Sequence, residues 1–308
     1  MTTRPTRRDF LTAVSALPLA ALATPALAQP GSRAQAMPSR PFVGSERLPV
    51  IGLGSSKVVE EIAKNGEEPL RQVMRTLVAH GGKVIDTWPR NPANDGRFGA
   101  VINEAEFRDR LFVTSKIDRP GKDAGVAQLQ QAHQSYGRKV LDLAQIFSLT
   151  DLETHWPTLR QWKDSGMARY IGVTVSEPRR HADLESFLKR EKPDTIQVNY
   201  SITERESEDR IIPLAADRGA AVIVNRPFMN GALFKRLEGR PLPQWATEIG
   251  CATWAQFSLK YILSNPRVTV VLTETSNPKH MEENAQAALG PMPDESARKR
   301  MREFITTV

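Results

Sequence analysis

Apolar residues gather in short runs of strand length along this chain. They lie at Leu48–Leu53, Lys83–Trp88, Leu111–Ile117, Val140–Phe147, Tyr170–Val175, Thr195–Tyr200, Ala221–Asn225 and Val268–Leu272. Most are continuously apolar rather than alternating, as parallel strands covered on both faces are. Amphipathic stretches separate them. In the first, Leu70, Val73, Met74, Leu77 and Val78 follow the spacing of one buried helical face. Gly81-Gly82 stops that helix. Gly166 and Gly219 fall in the same place, just before the fifth and seventh strands. Asn277-Pro278 reads as a cap followed by proline at the first helical position. Eight strand–helix units predict a single (β/α)8 TIM barrel over residues 48–308, with its active site at the C-terminal rim. An open doubly wound sheet is the competing reading. It usually begins with a glycine-rich phosphate turn, and Gly52-Leu53-Gly54 is not a full G-x-G-x-x-G. Residues 29–47, rich in Pro, Ser, Arg and Gly, read as an extended lead-in ending in a small hairpin.

The first 28 residues follow a different pattern. Thr6-Arg7-Arg8-Asp9-Phe10-Leu11 precedes an apolar stretch reaching about Ala23, and Ala26-Leu27-Ala28 offers small residues for cleavage before Gln29. A charged start, a short apolar middle and an A-x-A end predict a signal peptide. Paired arginines before Phe-Leu point to the twin-arginine variety. The expected partner is the twin-arginine export machinery, the expected location the periplasm, and no stable membrane anchor is expected after cleavage. An anchoring helix is the alternative, but Pro18 and Pro25 interrupt the segment. The route carries folded proteins, so a passenger can bind a nicotinamide dinucleotide in the cytoplasm before export.

Composition narrows the classes. Of 308 residues, 40% are hydrophobic and 25% charged, the balance of a soluble globular chain. The net charge of +7 is scattered, and no basic stripe with interleaved aromatics appears. That argues against a nucleic-acid surface and suits an anionic small ligand better. Cys251 is the single cysteine, so no internal disulfide forms. His80, His133 and His181 have no metal-ligand spacing to Cys or carboxylates, and no metal is expected.

Several segments, in order, resemble the aldo-keto reductase family over roughly residues 45–290. They are Ile85-Asp86-Thr87, Leu111–Lys116, Ala168–Thr174, Gln197-Val198-Asn199-Tyr200-Ser201 and Thr275–Asn284. Val224–Phe228 with Gly231–Phe234, and later Trp254–Phe257, look like an exported bacterial branch of that family. The resemblance implies NADP(H) as cofactor and a small carbonyl or hydroxyl substrate. It also implies four groups at the rim: a Tyr that donates a proton, a Lys that lowers its pKa, an Asp paired with the Lys, and a His that orients the carbonyl.

Asp86 and Lys116 match two of these positions. The pair also reads as a rim salt bridge that merely joins two strands. The other two depart from the pattern. Asn91 stands where the family has its Tyr, and Phe147 where it has its His. Neither donates a proton, and losing a positioned acid typically forfeits ~10²–10⁴ in rate. If hydride transfer survives, a water or Lys116 itself supplies the proton. Lys116 does so only with a depressed pKa, and Asp86 pushes the other way. On the cofactor side the resemblance assigns Thr174 and Gln197 to the nicotinamide carboxamide. Val175 replaces an Asn, and Asn225 replaces the aromatic platform. Arg226, Pro227, Phe228, Gly231 and Leu233 belong to a loop that resembles a pyrophosphate clamp. Thr275, Ser276, Lys279 and His280 open the helix facing the adenosine phosphate, and Glu283 and Asn284 the adenine. Thr273-Glu274 replaces the usual Pro-Gly, and an inward Glu274 would repel phosphate. The resemblance, with these departures, leaves three readings: an oxidoreductase with altered proton transfer, a non-catalytic binding relative, or a Schiff-base enzyme at Lys116. Trp88, beside Asp86, is expected to wall the pocket, and His155 to cap or lie at the surface rather than stand in for the missing groups.

Overall fold

A computed structural model describes residues 35–308. The signal segment and the start of the lead-in fall outside the described residues. Two short antiparallel strands come first, β1 (Ser39–Pro41) and β2 (Arg47–Pro49). Eight parallel strands then close into a barrel: β3 (Ile51–Gly54), β4 (Val84–Asp86), β5 (Phe112–Ile117), β6 (Leu141–Ile146), β7 (Ala168–Val175), β8 (Thr195–Asn199), β9 (Ala221–Asn225) and β10 (Val270–Glu274). The chain orders them consecutively around the ring, and β10 pairs with β3 to complete it. The TIM barrel read from the sequence is the observed fold, and the open sheet is not.

The strands are buried almost throughout, which is why their sequence runs are apolar without alternation. Helices cover the outside. In helix Glu68–Ala79 the buried residues are Leu70, Val73, Met74, Leu77 and Val78, the face its spacing predicts. Each such side chain contributes about 1.5–3 kcal/mol of burial. Gly81 follows at φ +77°, a conformation glycine adopts without strain. Gly99 has a different reason. A Cβ there would lie 1.7 Å from the Ser135 carbonyl oxygen, so only glycine lets helix Pro92–Ile102 approach helix Lys122–Tyr136.

Most strand ends differ from the sequence reading by a residue or two, and three of the differences shape the hairpin and the rim. The expected strand Leu48–Leu53 divides at Val50: Leu48 belongs to the hairpin, and the barrel strand starts at Ile51. The expected Lys83–Trp88 ends at Asp86, which releases Thr87 and Trp88 into the rim loop. The last strand runs from Val270 to Glu274, because the Val268 N–H closes a turn onto the Asn265 carbonyl. That shift sets Glu274, level with Gly54 of β3, at the mouth.

The hairpin stands at the barrel's other end. Phe42 meets Phe112 and Tyr170 edge-on, with ring centroids 5.4 and 5.0 Å apart, over a second apolar cluster that includes Leu48, Val84, Leu143 and Val270. Arg40 donates to the carbonyls of Leu263, Asn265 (2.9 Å) and Val268, which end helix Trp254–Leu263 and lead into β10. Glu46 accepts from Lys83 at 2.7 Å and pairs with Arg169.

Candidate active site

The C-terminal ends of the strands surround a cleft of about 520 Å³. Its floor is polar. Asp86 ends β4 opposite Thr114 of β5, and Lys116 lies two residues further along on the same face. Lys116 Nζ donates to Asp86 Oδ2 at 2.5 Å, while Thr114 Oγ1 and Gln197 Nε2 donate to Oδ1 at 2.5 and 3.2 Å. Gln197 Oε1 accepts from Asn225 Nδ2 at 3.2 Å. The network therefore spans β4, β5, β8 and β9. Lys116 is 1% exposed and Asp86 5%. Burial, the largest influence on the Lys116 ammonium, pushes it below its ordinary value despite the opposing pull of Asp86. The sequence reading weighed only the second of these effects.

One wall is aromatic. The Trp88 and Phe147 rings stack at 5.0 Å with 28° between their planes. Lys116 Nζ lies 4.8 Å from the Trp88 centroid and the Arg90 guanidinium 4.5 Å from it. The indole N–H donates to Asp118 Oδ2 at 2.8 Å, so the ring is fixed in orientation. Trp88 thus walls the pocket as expected.

Asn91 is a different matter. Its side chain accepts from the N–H groups of Ala93 and Asn94 at 3.1 and 3.3 Å, capping helix Pro92–Ile102. It is exposed and does not line the cleft. The position assigned to the proton donor is a helix cap here, and Trp88 faces the site in its stead. Phe147 does line the cleft. His155 is fully buried in helix Leu152–Asp164, its Nε2 2.8 Å from the Arg119 carbonyl, away from the cleft. It is not the surface residue the sequence suggested.

The opposite wall is the loop after β9. Arg226, Met229 and Asn230 take φ of +53°, +52° and +55°, a backbone conformation uncommon outside glycine. Arg226 donates to the Ser176 carbonyl at 2.5 Å. Its Nε, and Asn225 Oδ1, are buried without a partner. Pro227, Phe228 and Gly231 also line this side. A second cavity of about 190 Å³ adjoins the first, sharing Phe228, Phe234, Glu274 and His280 and adding Thr275, Glu283 and Asn284. Asn277 caps helix Pro278–Gln286 through Lys279 N–H at 3.0 Å.

Four further residues assigned from the sequence line neither cavity: Thr174, Leu233, Ser276 and Lys279. Thr174 is fully buried, and its hydroxyl accepts from Ser148 N–H at 3.1 Å. Leu233 is packed in the core at 1% exposure. Ser56, Lys57 and Ser176 line the large cleft and were missed. Each follows the end of a barrel strand, which is the positional signal that finds rim residues.

The cleft fits an elongated ligand better than a compact one. Its two cavities share four lining residues and so adjoin, and its unpartnered buried groups, Asn225 Oδ1 and Arg226 Nε, can still accept and donate a hydrogen bond. A nicotinamide dinucleotide has an amide and phosphates that suit such groups.

The sequence matches the model of the aldo/keto reductase family over residues 50–303. L-glyceraldehyde 3-phosphate reductase of Escherichia coli (strain K12) is 23% identical over 293 residues, covering 78% of this chain and 84% of that protein. Among solved structures, an aldo-keto reductase from Klebsiella pneumoniae in complex with NADPH has a TM-score of 0.72 at 20% identity, covering 88% of this chain and 96% of that one. The glycerol dehydrogenase of Gluconobacter oxydans gives 0.72 at 16% identity, over 87% and 95%. The ordered motifs, the closed barrel with Asp86 and Lys116 on adjacent strands, and the match over most of the length together place this chain in the aldo/keto reductase family.

Proposed function

We propose that the chain is an NADP(H)-binding oxidoreductase acting on a small carbonyl or hydroxyl compound, with an altered proton-transfer apparatus. The observation that carries this reading is the large cleft lined by the buried Asp86–Lys116 pair, with the second cavity adjoining it. Gln197 and Asn225 would hold the nicotinamide end, Arg226 to Phe228 the middle, and Thr275, His280, Glu283 and Asn284 the adenosine end. When bound, the cofactor supplies or removes hydride. Lys116 holds the mobile proton nearest the substrate, at Nζ, and its lowered pKa eases release of that proton. Asp86 orients the ammonium. Trp88 and Phe147 exclude water from it.

A second reading has its own support. No tyrosine lines the cleft among the described residues, and its one imidazole, His280, comes from the far helix. A relative that binds the dinucleotide without turning it over fits that. Calorimetry on refolded, cofactor-free protein tests both. Heat with NADPH together with NADPH oxidation on a generic aldehyde supports the enzyme, and heat without oxidation supports the binder. No heat with NADPH or NADH removes dinucleotide binding altogether.

The export reading stands on Arg7, Arg8 and the Ala26-Leu27-Ala28 end of the leader. Replacing both arginines with lysine is expected to abolish accumulation in the periplasm. The exported wild type is expected to begin near Gln29. Normal export of the double variant would remove the twin-arginine assignment.

A further inference from the structure

Glu274 stands where the two cavities meet. It is the last residue of β10, level with Gly54 of β3, and it lines both cavities. Its Oε1 accepts from the Lys57 backbone N–H at 2.7 Å. That N–H belongs to the first turn of helix Ser56–Glu60, whose N-cap residue, Ser55, makes no side-chain capping bond. Glu274 supplies the missing acceptor from a neighbouring strand, which fixes its carboxylate at the junction. The other residues shared by both cavities are Phe228, Phe234 and His280, so Glu274 is the one anion among them.

A ligand long enough to fill both cavities passes this point with its middle. In a dinucleotide the middle is a diphosphate. We infer that Glu274 is a specificity-determining residue that disfavours diphosphate-bridged ligands, so that the cleft binds dinucleotides more weakly than its shape allows. The inference rests on the dinucleotide reading above. Two fixed like charges repel at short range in a partly enclosed cleft, and nearby cations offset this only in part. Lys57 and Glu274 are both exposed, and Arg226, held by the Ser176 carbonyl with only its Nε donor free, offsets the repulsion in part. The repulsion is electrostatic, so added salt weakens it.

Glu274→Gln separates charge from capping, because the amide oxygen still accepts from Lys57 N–H. Glu274→Ala removes both. Calorimetry with NADPH, NADH and adenosine, at low and high salt, is expected to show both dinucleotides binding Glu274→Gln about 10- to 100-fold more tightly than wild type at low salt. The gain shrinks at high salt, adenosine affinity stays the same, and the melting temperature is unchanged. Wild-type binding with no gain in Glu274→Gln, or a loss, overturns the inference and leaves Glu274 a helix cap. A gain confined to NADPH overturns it too, since the repulsion would then lie at the 2′-phosphate. If Glu274→Ala gains while Glu274→Gln does not, side-chain bulk rather than charge is responsible, and the inference also falls. Failure of both wild type and Glu274→Gln to bind any dinucleotide removes the reading beneath it as well.

Discussion

Replacing Asn91 with Tyr and Phe147 with His leaves NADPH oxidation on a generic aldehyde within about tenfold of wild type, whereas adding Trp88→Ala raises it by about 10²–10⁴. The reason is local. Asn91 is turned into the first turn of helix Pro92–Ile102, where its side chain accepts two backbone N–H bonds. Tyr at that position forfeits the cap, at about 1 kcal/mol, while Trp88 still covers Lys116, 4.8 Å from its ring centroid. Phe147 is stacked on the same indole, so an imidazole in its place is held against the ring rather than toward a substrate. Clearing Trp88 opens the space and uncovers the Lys116 ammonium. Lys116→Met in the triple variant should return the rate to background. If the double variant alone gives the full gain, Asn91 faces the site and the capping geometry does not govern it.

The second large effect is on stability. Asp86→Ala leaves Lys116, 1% exposed, without its carboxylate, and breaking a buried pair in this way costs about 3–5 kcal/mol. For a chain of this size that lowers the melting temperature by roughly 5–8 °C. Thr114 loses its acceptor in the same substitution, and Gln197 keeps only the longer bond to Gln145 Oε1 at 3.5 Å. Lys116→Met is milder, because both of those donors remain on Asp86. Asp86→Leu combined with Lys116→Met should recover most of the loss, since apolar groups of similar size replace a buried pair at little cost. Thermal melts of the four proteins decide this. Equal melting temperatures for wild type and Asp86→Ala would mean that the pair is solvated in solution.

The barrel was legible because its evidence is periodic. Eight apolar runs of parallel-strand character and the glycines that end helices survive any local misreading of a boundary. The ion pair was legible for the same reason: Asp86 and Lys116 lie on regular strands whose register fixes their separation. Rim loops have no such register. Asn91 is five residues beyond Asp86, and counting places it where a proton donor belongs. Pro92, directly after it, makes it a helix cap instead, and that Asn-Pro signal was read at Asn277 but not here. Thr174 and Leu233 lie inside runs that look like binding motifs, yet packing turns both away from the cleft. Lys57 and Ser176 belong to no motif, and only the fold brings them to the mouth.

The hairpin at the base of the barrel also sets an order of events during synthesis. Arg40 leaves the ribosome early, but the carbonyls it binds belong to residues 263, 265 and 268, more than 220 positions later. Phe42 likewise needs Phe112 and Tyr170, and its cluster reaches Val270 of the final strand. Met37 meets the His80 carbonyl early, but Arg40 lacks its acceptors, and the Phe42 cluster its last members, until nearly the whole chain has been translated. Such distant contacts form late, after the entropy of closing a very long loop has been overcome. Seating of the hairpin marks completion of the ring. Arg40 and Phe42 emerge early yet are among the last to find all their partners, so seating of the hairpin reports whether the rest of the barrel has finished folding.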